Sequence, residues 1–64
     1  MIKVNGETSD YRPENLSQLL ERQNFDGRTV AVEQNGDIIP REQWDSQGVN
    51  DGDVIEIISF MGGG

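Results

Sequence analysis

The chain of 64 residues contains no cysteine and no histidine. Their absence excludes a disulfide framework, a thiolate zinc site, a cysteine nucleophile and any imidazole acid-base step. Cations are scarce as well: Lys and Arg together number five against twelve Asp and Glu, and the net charge is -7. Such a surface repels a phosphate backbone instead of releasing counterions to it, so the fitting partner is a basic protein and not a nucleic acid. The same acidity also serves solubility alone. Apolar runs stop after a few residues, far short of the roughly 20 that cross a bilayer. No basic-then-apolar leader opens the chain. The expectation is a soluble cytoplasmic protein, off the membrane and monomeric when free.

A chain this short buries only about 60% of the surface it exposes when unfolded, so one small core is expected. Met1 to Asn5 alternates, with Ile2 and Val4 on one face and Lys3 and Asn5 on the other, as a half-buried strand does. Asn5-Gly6 is a strong two-residue hairpin signal. The polar stretch Glu7 to Arg12 reads as the return strand at a sheet edge. Pro13 to Asn24 reads as a helix, with Leu16, Leu19 and Leu20 forming one apolar stripe. Pro13 and Glu14 suit its first turn.

Thr29 to Glu33 is rich in β-branched residues and places Val30 and Val32 on one face. Asn35-Gly36 is a second turn signal, and Pro40 limits Ile38-Ile39 to a short strand. Arg41 to Ser46 has room for one helical turn carrying Trp44, which is expected to pack, its indole N–H seeking an acceptor. After the turn Asn50-Asp51-Gly52-Asp53 comes the last strand, Val54 to Phe60. Ile55 and Ile57 belong on its core face, because Glu56 must stay wet.

Parallel pairing of the first and last strands lets the leucine stripe cover Ile2, Val4, Val30, Val32, Ile55 and Ile57. This predicts an α+β fold of the β-grasp (ubiquitin-like) kind: a mixed sheet of four to five strands with one main helix on one face. Residues 1–61 form the domain, and 62–64 form a flexible glycine tail.

Several features are candidates for chemistry. Met61 to Gly64 extends at most about 13 to 14 Å, and glycine lets a backbone thread a narrow channel without a Cβ. Terminal glycines also fray for no purpose. Ile58, Phe60 and Met61 either dock a partner or, for Phe60, fold back as ordinary packing. Asn35, Asp37, Glu42, Asp45, Asp51 and Asp53 lack the spacing of an EF-hand and read as turn chemistry on a solvated acidic face, with no metal site. Arg41 is placed to pair with Glu42 or Asp45. Isolated glycines make no phosphate-cradling loop, so no cofactor is expected on this chain.

The segments MIKVNGE, NLSQLLE, TVAVEQNGDIIPREQW and VNDGDVIEII, with Gly63-Gly64 at the end, resemble the ThiS family of sulfur carriers over essentially the whole chain. The resemblance implies a carrier that acts as a cosubstrate and not as an enzyme. An adenylating enzyme resembling ThiF uses ATP and magnesium to activate the carboxylate of Gly64. A cysteine desulfurase route then supplies sulfur to make a thiocarboxylate, which a thiazole synthase resembling ThiG consumes in thiamine biosynthesis. Gly62 and Gly63 lie in the partner's channel on this reading. The alternatives are a small subunit of molybdopterin synthase resembling MoaD, a ubiquitin-like protein modifier, and an interaction domain with an inert tail. Lys3, the single lysine, leaves a modifier few options for lysine-linked chains.

Overall fold

The computed structural model describes residues 1–60. The strands are β1 (Ile2–Val4), β2 (Glu7–Ser9), β3 (Val30–Gln34), β4 (Asp37–Ile38) and β5 (Val54–Ser59), and the helix α1 spans Leu16–Arg22. They form one five-stranded sheet in the order β2-β1-β5-β3-β4. β1 and β5 pair in parallel, Lys3 against Val54 and Val4 against Ile55, while the other neighbours are antiparallel. Among the described residues no helix is long and apolar enough to cross a membrane.

Two hairpins set the β1–β2 and β3–β4 registers locally. Asn5 and Gly6 both have positive φ (50° and 84°), as do Asn35 and Gly36 (53° and 89°). Two consecutive left-handed residues make the turn whose twist matches that of paired strands, and Asn-Gly reaches it at the least steric cost.

The helix is defined by its ends. Asn15 is extended, and its side chain accepts from the Gln18 amide at 2.8 Å. The amides of Leu16 and Ser17 donate to the carbonyls of Gln47 (3.1 Å) and Trp44 (3.4 Å). These contacts satisfy the donors that a helix start leaves orphaned. They also place the start after Pro13 and Glu14, correcting the expectation that those two residues form the first turn. At the other end Asn24 is left-handed (φ 62°), Asn24 N donates to Glu21 and Phe25 N donates to Leu20. This is a Schellman stop, and Phe25 then packs against the core.

β2 is shorter than the sequence suggests. The Ser9 hydroxyl accepts from the Tyr11 amide at 3.1 Å and turns the chain away. Tyr11 then packs against the core, with the Arg22 guanidinium 4.5 Å above its ring.

The core consists of the nine aliphatic side chains expected from the periodicity, together with Trp44. Trp44 follows a single 3-10 turn at Arg41–Gln43, packs over Gly27, where an added Cβ would lie 3.0 Å from the ring, and donates its indole N–H to the Ile39 carbonyl at 2.8 Å. Arg41 forms no ion pair among the described residues. The Asp45 carboxylate instead accepts from the Ser17 hydroxyl.

One acid departs from the expected solvated face. Asp53 is buried, and so is Gln34, which extends β3 past Glu33. Asp53 accepts from Gln34 Nε2 (2.8 Å), Asn35 Nδ2 (2.9 Å) and Asn50 N (2.8 Å). Gln34 in turn donates to the Gly48 carbonyl and accepts from Gln47, both at 2.8–2.9 Å. Burial pushes the Asp53 carboxyl up, but the donors from Asn50, Asn35 and Gln34 outweigh it and hold it below its ordinary value. This cluster ties the two turns flanking β5 and β3 to the segment that caps α1.

Two tests follow from the packing. Leu19 is fully buried, so Leu19→Ala should cost about 2 to 5 kcal/mol in chemical denaturation; a loss within error would show that the helix face collapses without penalty. Because the folded Asp53 carboxyl is depressed, its stabilisation is complete above the unfolded value and disappears as pH falls through the folded one, below about pH 4. Asp53→Asn should therefore be less stable at neutral pH by about 1 to 3 kcal/mol, and its gap to the native chain should narrow on acidification. A gap independent of pH would contradict the charge assignment.

Candidate functional site

β5 is the central element of the site. Alternation along it sends Ile55 and Ile57 into the core and leaves Val54, Glu56 and Ile58 on the opposite, helix-free face of the sheet. The ladder to β3 continues past the strand's last residue, with Phe60 N donating to the Thr29 carbonyl at 3.1 Å. On the other side β1 stops earlier. Asn5 N donates to the Ile55 carbonyl, and the Asn5 side chain then accepts from Ile57 N at 2.7 Å, taking the place of a further strand residue. The end of β5 is thus held on one side and open on the other.

Ile58 and Phe60 stand exposed on this face, at 43% and 62% of their full accessibility. Phe60 does not fold back into the core. Register brings further apolar groups beside them: Ala31 on β3 lies opposite Ile58, and Ile38 on β4, 60% exposed, lies opposite Glu33. Val54 continues the patch along β5. These side chains come from the β3–β4 hairpin and the distant β5, and local alternation alone identifies only Ile58 and Phe60. The apolar patch is what an interface core requires, and two acids, Glu33 and Glu56, lie among its side chains.

Met61, Gly62, Gly63 and Gly64, the other residues singled out from the sequence, lie outside the described residues.

The acids divide by role. Asp26 accepts from Arg28, and the side-chain and backbone hydrogen bonds of Arg28 hold its carboxyl below the usual range. Asp51 is lowered by the amino group of Met1, which it accepts from. Asp53 belongs to the buried cluster. Asp37 and Glu42 are exposed. These arrangements account for turns and surface, and among the described residues no three carboxylates group closely enough to hold a metal ion.

Comparison with known proteins agrees with this geometry. The family model described as the ThiS family matches residues 2–64. The chain is 33% identical to the sulfur carrier protein ThiS of Bacillus subtilis over 66 residues, covering 100% of both chains. It is 40% identical over 64 residues to a thiazole synthase of Paramagnetospirillum magneticum, covering 98% of this chain but only 20% of that protein's length. The crystal structure of the thiamine biosynthesis protein ThiS from Geobacter metallireducens superposes with a TM-score of 0.80 at 39% identity, covering 98% of this chain and 97% of that one. A match along nearly the whole length in sequence and in fold establishes that this chain belongs to the ThiS family.

Proposed function

We propose that this protein is a sulfur carrier of thiamine biosynthesis whose Gly64 carboxylate is adenylated and then converted to a thiocarboxylate. The observation that carries the reading is the placement of β5. The last strand is the middle strand of the sheet, hydrogen-bonded on both sides through Ile55, so the chain leaves the fold from a rigid base. Ile58 and Phe60 beside that exit supply a docking surface.

A carboxylate resists nucleophiles because its charge is delocalised and it lacks a good leaving group. Attack of the Gly64 carboxylate on the α-phosphorus of ATP, with loss of pyrophosphate, makes a mixed anhydride from which AMP departs readily when a sulfur nucleophile adds. The activating partner, an adenylating enzyme of the ThiF kind, provides the ATP and magnesium site and the catalysis. The carrier provides presentation, with Gly62 and Gly63 narrow enough for a channel, and is a cosubstrate and not an enzyme. A cysteine desulfurase route fits as the sulfur source. Similarity to a segment of a protein named thiazole synthase supports an enzyme of that kind as the consumer of the sulfur.

Intact-mass measurement after incubation with the adenylating enzyme, ATP, magnesium and a sulfur source should show a gain equal to the difference between one sulfur and one oxygen atom. Removal of Gly64 should abolish the gain and leave the thermal midpoint unchanged. No gain with the native chain would overturn the carrier reading, and a large fall in the midpoint would make the tail a structural element.

A further inference from the structure

The helix-free face carries an arrangement that folding does not explain. Glu33 on β3 and Glu56 on β5 are direct cross-strand partners. The bonds at either end of the ladder, Asn35 N to the Val54 carbonyl and Phe60 N to the Thr29 carbonyl, fix the alternation. Glu33 and Glu56 therefore occupy a hydrogen-bonded position with their side chains on the same face. Like charges set directly opposite each other weaken a sheet. Among the described residues no Lys, Arg or amino-terminal nitrogen lies within 4.0 Å of either carboxylate, and neither accepts a side-chain hydrogen bond. Lys3, the nearest basic residue by register, lies opposite Val54 and makes no such pair.

The surroundings convert this repulsion into a recognition feature. Ile38 flanks Glu33 across β4, Ala31 and Ile58 form the next cross-strand row, and Val54 precedes Glu56. A partner covering these apolar groups removes water from the two carboxylates, which makes their repulsion worse unless a cation comes with it. A planar guanidinium, with donors on two edges, matches two carboxylates on adjacent strands better than an ammonium does.

We propose that Glu33 and Glu56 form a seat for one arginine of the adenylating partner, ringed by Val54, Ile58, Ala31 and Ile38, and that this seat sets the register of docking. The proposal rests on the carrier reading and adds the chemistry of the surface that the partner presents. The free carrier tolerates the paired charges, and the complex relieves them.

The test is titration of the adenylating enzyme, by calorimetry at two salt concentrations, with the native chain and with Glu33→Gln, Glu56→Gln and Glu42→Gln. Glu42 is exposed on the 3-10 turn, so its variant removes the same charge at a distance from the seat. The two seat variants should each weaken binding about tenfold or more and flatten its salt dependence, while their thermal midpoints stay equal to or above that of the native chain. Glu42→Gln should bind as the native chain does. Native affinity in both seat variants would overturn the seat while leaving the carrier reading intact. Equal weakening in all three would reduce it to general electrostatic attraction and overturn it as well. Failure of the native chain to acquire sulfur from any adenylating partner would remove the carrier reading, and the seat with it.

Discussion

The parallel pairing of β1 with β5 is the contact on which the rest depends. It brings the first and last described strands together at the middle of the sheet, where Ile2 and Val4 lie beside Ile55 and Ile57. Parallel neighbours need cover on the crossover face, and α1 supplies it through Leu16, Leu19 and Leu20. Without that pairing β5 would be an edge strand, and the chain beyond it would leave from a base free to fray. With it, Ile55 is fully buried, and β3 carries the ladder on to Phe60, whose amide donates to the Thr29 carbonyl.

The two faces of the sheet then divide the work. Burial of the helix-side residues provides the stability of a domain too small for a second core. The opposite face carries Ile38, Val54, Ile58 and Phe60 to solvent together with two facing glutamates. A surface of that kind costs the free protein something, which is consistent with a protein whose task is to be held by others. On the function proposed above, catalysis belongs to the partner, and the carrier's share is the central strand, the exposed face beside it and a carboxylate.

Most of the architecture was legible in the sequence because its signals are local. The spacing of Leu16, Leu19 and Leu20, the alternation in Ile2-Val4 and Ile55-Ile57, and the two Asn-Gly turns each report on their own segment. The start of α1 was not legible, because its first amides bond to carbonyls of Trp44 and Gln47, distant in the chain. Asp53 was misjudged for a related reason: an acid in a turn looks wet until Gln34, Asn35 and Asn50 converge on it. The facing of Glu33 and Glu56 depends on strand register, which no local pattern encodes. At the candidate site, Ile58 and Phe60 were readable from alternation along one strand, whereas Ile38 and Ala31 joined them only through pairing.

The division of the sheet into a stabilising face and a receiving face is tested most directly by methyl NMR of the carrier during titration with the adenylating enzyme. Resonances of Ile38, Val54, Ile58 and Ala31 should shift or broaden first, while those of Leu16, Leu19, Leu20 and Ile55 stay in place. Perturbation that begins in the helix-side leucines and spares Ile38 and Ile58 would contradict the assignment of the docking face.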